Sequence, residues 1–180
     1  MTKIAGYWFE PFDACMFELS KPSTDWGKYL SLIEAGARAG DDRAMYALGS
    51  LMLSGSTEPS VPRDRRTGLI YLKRATRSVA AAMLEYAAML EDGARGVPAD
   101  PAAAFALFKK AERFGSITGR FHVARCLLAG TGTKVDRAAA ARRLRRCLEL
   151  GGPDLDAVRE CLEVATRDAT RATAAKKRKV

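Results

Sequence analysis

The residues of this chain whose types suit chemistry are one histidine, four cysteines and a lysine that closes a glycine loop. His122 has an ordinary pKa close to neutrality and could transfer a proton. The loop "AGTGTK" at residues 129–134 could hold a phosphate, because clustered backbone N–H groups ahead of a helix bind anions. The cysteines could attack a substrate or bind zinc. Spacing decides among these possibilities.

The spacing argues against each of these chemistries. The cysteines are Cys15, Cys126, Cys147 and Cys161, with no C-x-x-C pair and one histidine to complete a metal site. Zinc binding is therefore unsupported, and we predict reduced thiols in the core. Lys134 is followed by Val135, where a Walker loop needs Ser or Thr. His122 has no nucleophile or acid placed beside it by a known motif. We predict no catalytic residue, no metal, no cofactor, no small-molecule substrate and no enzyme activity.

Composition points to a folded domain with acidic partners. The chain has 180 residues, 48% of them hydrophobic, which is enough for one domain or a short repeat array. No run approaches the roughly 18 to 20 apolar residues of a membrane span, and the N-terminus lacks a signal peptide's pattern. We therefore expect a cytoplasmic location. The formal charge of +9 favours acidic partners without naming them.

A period of 36 residues organises the chain. Asp64, Asp100 and Asp136 are each followed by a small residue at offset 4, a large apolar residue at offset 8 and a small one at offset 11. These offsets fall on one stripe of an α-helix, and each Asp is placed as the N-cap. Asp25 begins the same pattern. The sequence therefore predicts four copies of one helix. It also indicates that the glycine loops are turns that connect helices and do not bind a ligand.

A second helix precedes the Asp in three copies. Its sequences are "AMYALGSLMLSG" at 44–55, "AMLEYAAMLEDG" at 82–93 and "GRFHVARCLLAG" at 119–130, and "VRECL" at 158–162 restarts the pattern. Small residues at Gly49, Ala87 and Ala124 would let paired helices approach closely. Short helices of this kind bury their apolar stripes by stacking. We predict an all-α fold: a right-handed α-solenoid of about three to four helix-turn-helix repeats with terminal caps.

The repeat resembles the SEL-one-like repeat (SLR) family, which is related to the tetratricopeptide repeats. "GARGVPADPAAAFALFKKAERFG" fits the family pattern closely, "SGSTEPSVPRDRRTGLIYLKRAT" carries a loop two residues longer, and "GTGTKVDRAAAARRLRRCLELG" lacks the usual aromatic residue. The resemblance implies a concave groove lined by the first helix of each pair, a protein partner and no catalytic residue. It predicts a solenoid over residues 25–168.

The two ends fall outside this pattern. Residues 1–24 contain the aromatic cluster "GYWFEPF", which we interpret as a cap on the first repeat, with an aromatic anchor for a partner as the alternative. Residues 169–180 are basic and predicted to be disordered. Their "KKRK" run resembles a nuclear-import signal. The chain is rich in Ala and Arg, a bias typical of GC-rich bacterial genomes, and in a bacterial protein the run would be a tag or an incidental feature.

Residues beside the core stripe of the first helices are the predicted partner contacts. Met45, Met83 and Arg120 occupy one slot, and Glu85 and His122 occupy a second, which holds Ala47 in the first copy. Tyr46, Leu84 and Phe121 share a third slot that could equally belong to the core.

We expect a non-catalytic scaffold or adaptor that binds another protein, and within that class an immunity protein that neutralises a cognate toxin. The alternative is a nucleic-acid-associated protein that binds phosphates through a basic convex face. The same face is also consistent with a solvated outer surface. That face comprises Arg142, Arg143, Arg145 and Arg146.

Overall fold

The structure is a computed structural model that describes residues 2–4, 7–9, 25–57, 60–93, 96–152 and 154–177, with side chains of residues 25–167 within these ranges. Its helices are α1 (Trp26–Ala39), α2 (Asp42–Ser54), α3 (Arg65–Ala75), α4 (Ala80–Asp92), α5 (Pro101–Arg113), α6 (Ile117–Ala129), α7 (Arg137–Glu149) and α8 (Leu155–Lys177). Its strands are β1 (Thr2–Ile4), β2 (Tyr7–Phe9), β3 (Ser56–Thr57) and β4 (Ser60–Val61). The predicted all-α class is confirmed, with two short hairpins added.

The chain divides into two compact units, and the first spans Met1–Ala82. Its helices α2 and α3 cross where two glycines face each other. A Cβ on Gly49 would lie 3.1 Å from the carbonyl oxygen of Gly68, and a Cβ on Gly68 would lie 3.0 Å from that of Gly49. Only a residue without a side chain permits this approach. Around the crossing, Leu53 and Leu72 are buried almost completely.

The second unit spans Met83–Val180 and stacks its helices in chain order. Helix α6 packs against α5 before it and α7 after it, and α7 packs against α8. Phe108, Val123 and Leu144 supply one fully buried side chain each from α5, α6 and α7. The apolar stripe of each helix is therefore covered by its neighbours, as the 36-residue period predicts.

Each predicted aspartate cap is confirmed. The carboxylates accept hydrogen bonds from the backbone N–H three residues on, at 3.0 Å for Asp25, 3.1 Å for Asp64, 2.9 Å for Asp100 and 2.8 Å for Asp136. These bonds satisfy backbone donors that the first turn of a helix leaves unpaired. The last three aspartates also donate their backbone N–H to a carbonyl of the preceding helix, on Met52, Leu90 and Leu127. One residue thus starts a helix and ties it to the previous one.

The structure changes the assignment of both ends. Helix α8 extends to Lys177, into the segment from residue 169 for which the sequence predicts disorder. The repeated pattern that begins at Val158 simply continues as helix. At the other end, β1 and β2 pair as an antiparallel hairpin with Lys3 opposite Trp8. The rest of residues 1–24, the cap or anchor role of their aromatic side chains, and residues 178–180 of the basic tail lie outside the described residues.

The longer loop of the first repeat forms its own hairpin. Strands β3 and β4 pair antiparallel, with Ser56 opposite Val61. The two extra residues give the chain enough length to pair with itself before α3 begins.

Within the described ranges, no helix is long and apolar enough to cross a membrane.

Candidate functional site

Two of the three residues in the first predicted contact slot are buried. Met45 and Met83 are 4% and 0% exposed, so the structure places them in the core and corrects their assignment to an accessible groove. Met45 precedes Leu48 and Gly49 by three and four residues, which puts it on the stripe that packs against other helices. Methionine fills such sites because its side chain is long and unbranched.

The third slot is partly exposed, as is the second slot, which holds Glu85 and His122. Tyr46, Leu84 and Phe121 are all partly exposed, although the slot beside them is buried at Met45 and Met83. Tyr46 belongs to the first unit, whereas Leu84 and Phe121 belong to the second. At this slot, every repeat therefore leaves a large apolar or aromatic side chain of its first helix partly exposed.

His122 lies in an aromatic cluster of the second unit. Its ring stacks on Phe108 with centroids 4.6 Å apart and planes 9° from parallel, and Phe121 approaches edge-on at 5.8 Å. Burial lowers the pKa of His122, and the positive charge of Arg125 lowers it further. The Nδ1 atom is buried and has no hydrogen-bond partner among the residues that the structure describes. The imidazole therefore stays neutral at physiological pH and serves as part of an aromatic surface.

Arg120 takes part in an ion-pair network beside this cluster. Its Nε donates to Glu112 Oε1 at 3.3 Å, and Arg143 Nε donates to the other oxygen, Oε2, at 3.2 Å. Glu112 thus joins α6 to α7 through two guanidinium groups. Arg120 Nη1 is buried and finds no partner within the described part of the chain. The predicted contact residues Arg120, Phe121 and His122 come together here, while Glu85 is half-buried on α4.

The four arginines of the predicted basic face have different surroundings. Arg143 is committed to Glu112, and Arg146 Nη1 lies 2.8 Å from Glu149 Oε2. Arg142 and Arg145 are exposed, and neither makes a hydrogen bond or ion pair within the described ranges. Both line an open groove of about 480 Å³ between α7 and α8. The other lining residues of this groove are Arg137, Ala138, Ala141, Ala165 and Thr166.

The thiols are poorly placed for chemistry. Burial raises the pKa of Cys126 to about 11, and it also raises the pKa values of Cys147 and Cys161. A thiol is a nucleophile or metal ligand only as the thiolate, so these three are inert at neutral pH. All three are free, and no group of His, Cys, Asp or Glu side chains in the described part of the chain could hold a metal ion.

The glycine loop before α7 has a structural reason for its composition. Gly132 has φ +66°, and a Cβ there would overlap the carbonyl oxygen of Pro101 at the start of α5. Backbone contact with the neighbouring helix therefore requires glycine at this position. Lys134 is exposed at the end of the loop. The expectation that the loop turns the chain between helices agrees with this geometry.

The family comparison assigns these helix pairs. The chain matches the Sel1 repeat family three times, at residues 42–78, 80–113 and 119–143. It belongs to the Sel1 repeat family. The matched segments begin with α2, α4 and α6, so each Sel1 repeat contains one first helix with its exposed apolar slot, followed by one Asp-capped helix. The predicted SLR resemblance is confirmed.

Solved structures show the same fold. A Sel1 repeat protein from Oxalobacter formigenes has a TM-score of 0.65 at 20% identity, over 73% of this chain and 94% of that one. A protective antigen present in uropathogenic Escherichia coli strains, which displays an SLR fold, has a TM-score of 0.62 at 22% identity. That match covers 78% of this chain and 30% of the antigen. No curated protein matches the chain. The fold is therefore that of SLR α-solenoids.

Sequence reasoning missed two features of the Sel1 repeats. The Glu112 network joins residues from three helices, and one sequence contains no signal for such a meeting. The groove beside α7 did leave a signal, because Ala138, Ala141, Arg142 and Arg145 stand at offsets 0, 3, 4 and 7 and share one helical stripe. The opposite wall of the groove, on α8, required the structure.

Proposed function

We propose that this protein is a non-catalytic scaffold that binds a partner protein through the first helices of its Sel1 repeats. The observation that carries the proposal is the slot shared by Tyr46, Leu84 and Phe121, where each repeat leaves a large apolar side chain partly exposed. Sel1 repeat proteins generally act as protein–protein interaction scaffolds. Aromatic side chains at such positions supply much of the binding free energy in protein interfaces.

The neighbourhood of Phe121 supports the choice of this slot. Phe121 contacts His122, whose ring is held in place by its stack on Phe108. A side chain fixed before binding loses little conformational entropy in the complex. The predicted contact residue Phe121 thus lies beside a ring that is already held in place.

The test begins with capture of the partner at a chosen position. A photo-reactive benzophenone amino acid replaces Phe121, and a second protein carries it at Ile70, which is 51% exposed on α3, a second helix. We expect one dominant cross-linked protein from position 121 and none in common with position 70. The same product from both positions would contradict binding through the first helices.

Affinity measurements with the purified partner complete the test. Phe121→Ser should weaken binding at least about tenfold, which is the usual loss at an interface hot spot. Ile70→Ser removes a comparable exposed apolar side chain from another surface and should leave the affinity unchanged. Calorimetric titration gives both values, and thermal unfolding shows whether each variant is folded. Weaker binding that follows only from a lower melting temperature would refute the proposal.

Within this class we propose an immunity role, in which the protein covers the active site of a toxin. Its support is that the described residues offer binding surface without chemistry of their own, since three thiols are protonated and no metal cluster is present among them. Free thiols also fit a cytoplasmic location. Co-expression with the captured partner should rescue growth if that partner is toxic. A partner that is harmless when expressed alone would exclude this role.

Nucleic-acid binding is the second candidate. The guanidinium groups of Arg142 and Arg145, which are exposed and have no partner among the described side chains, favour it because basic side chains neutralise phosphates. It predicts an affinity for single-stranded DNA that falls steeply with salt. DNA that fails to bind at low ionic strength would remove this candidate.

A further inference from the structure

The groove between α7 and α8 combines a small apolar floor with exposed positive charge. Ala141 and Ala165 are buried at its base, and Ala138 is exposed beside them. Because alanine side chains are short, the two helices leave an open space of about 480 Å³. That volume is in the range of natural ligand sites, roughly 300 to 1,000 Å³. The groove can accommodate a few side chains of another molecule.

The charges along the groove are arranged on one side. Helix α7 contains five arginines and one acidic residue, Glu149, and Glu149 pairs with Arg146. This pairing leaves Arg142 and Arg145 without a partner in the described part of the chain, one helical turn apart along the groove. Two guanidinium groups at this spacing can each bind a carboxylate with paired hydrogen bonds.

We infer that this groove binds an acidic segment of another protein, with carboxylates on Arg142 and Arg145 and an aliphatic side chain on the alanine floor. The inference rests on the proposed scaffold function and adds a second contact surface, separate from the exposed slot of the first helices. Charge complementarity and the apolar floor select this occupant. Among the described lining residues none is aromatic, so the groove lacks the stacking surface that single-stranded nucleic acids use.

The test uses defined probes and the full chain. A fluorescein-labelled peptide of alternating Glu and Leu is titrated with the protein, and fluorescence anisotropy is recorded. A peptide with Gln in place of Glu and an all-Glu peptide test the charge and the aliphatic side chain separately. We expect the Glu/Leu peptide to bind, and each altered peptide to bind at least about tenfold more weakly. An all-Glu peptide that binds equally well would overturn the groove as a built site.

Matched variants locate the binding surface. The double variant Arg142→Gln, Arg145→Gln should bind the Glu/Leu peptide at least about tenfold more weakly than the wild type. The control Arg113→Gln, Arg146→Gln removes the same charge from the exposed ends of α5 and α7 and should change the affinity less than about twofold. Equal effects of the two double variants would show general electrostatic attraction and overturn the inference.

Two further measurements complete the design. Ala138→Glu places a carboxylate on an exposed groove position and should abolish peptide binding without unfolding the chain. Single-stranded DNA that displaces the peptide at lower concentration than unlabelled peptide would assign the groove to phosphates and overturn the inference. Failure here leaves the scaffold proposal intact as long as the partner captured at position 121 still binds, so the two proposals fail independently.

Discussion

At the scale of single residues, His122 shows how the fold changes the use of a reactive side chain. The sequence offered it as a possible acid or base, but the structure stacks its ring on Phe108 and lowers its pKa through burial and Arg125. A neutral imidazole with a buried Nδ1 is an aromatic surface with one polar edge. His122 is thus kept from binding a proton near neutral pH by burial and by the charge of Arg125, although its residue type could transfer protons.

This environment predicts a pH dependence of stability. The pKa of His122 in the folded chain lies below its ordinary value of 6.5, so the unfolded chain binds the proton more readily. The contribution of neutral His122 to the free energy of unfolding is therefore complete above pH 6.5. It is lost as the pH falls from 6.5 towards the lowered pKa of the folded chain. From about pH 7.5 to about pH 5.5, the wild-type free energy of unfolding should fall relative to that of His122→Phe, which keeps the aromatic stack.

Urea denaturation followed by circular dichroism measures this difference. The chain contains one histidine, so no other imidazole contributes. The carboxylates titrate alike in both proteins and cancel in the comparison. Parallel pH profiles for the two proteins would mean that the proton binds His122 equally well in the folded and unfolded chains.

At the scale of helices, close crossings decide which positions must be glycine. Gly119 in α6 lies against the end of α5, where a Cβ would stand 2.8 Å from the backbone nitrogen of Glu112 and 2.9 Å from the Cβ of Ala111. Gly27 in α1 is also helical, but its nearest neighbour would be Asp25 Oδ1 at an ordinary 3.5 Å. The two glycines therefore respond differently to the same substitution.

Gly119→Ala should destabilise the protein by about 1 to 3 kcal/mol, because backbone atoms at the contact cannot move aside as a side chain can. Gly27→Ala should be neutral or stabilising by up to about 1 kcal/mol, because alanine favours the helix more than glycine does. Thermal and urea unfolding of the two variants provide the comparison. A stable Gly119→Ala protein would mean that α5 and α6 can separate without cost.

The aspartate caps give a second prediction at this scale. Asp136→Ala removes the acceptor that binds Ala139 N–H at 2.8 Å and should lower the free energy of unfolding by about 0.5 to 2 kcal/mol. Asp136→Asn keeps an acceptor oxygen and should retain most of the stability. If both variants lose the same amount, the charge of the aspartate rather than its cap hydrogen bond stabilises α7.

At the scale of the whole molecule, the sequence predicted the elements better than the surfaces. The 36-residue period specified the helix starts, because the aspartate caps and the apolar stripe are local signals. The sequence analysis predicted Met45 and Met83 as groove contacts, because an apolar stripe at helical spacing does not show which of the residues beside it a neighbouring helix buries. The reach of α8 past residue 169 was missed because a basic composition without an apolar stripe is typical of disorder as well as of an exposed helix.

The two proposed binding surfaces should differ in salt dependence, because arginines line the α7–α8 groove whereas an aromatic side chain makes the other contact. Between about 50 and about 500 mM NaCl, the acidic peptide should lose most of its affinity for the α7–α8 groove, because screening acts on exposed charges. Binding of the captured partner through Phe121 should change far less, since burial of an aromatic side chain is not screened. Matched losses in calorimetric titrations at both ionic strengths would mean that charge governs both surfaces.

The contact between Gly132 and Pro101 bears on how such arrays evolve and can be recombined. The loop that closes the first helix of the third repeat touches the first residue of the second helix of the second repeat. A transplanted third repeat therefore needs both its own glycine and a neighbour whose second helix starts with an accessible carbonyl. The smallest module that can be exchanged without a new clash is a repeat together with the Asp-Pro start of the one before it.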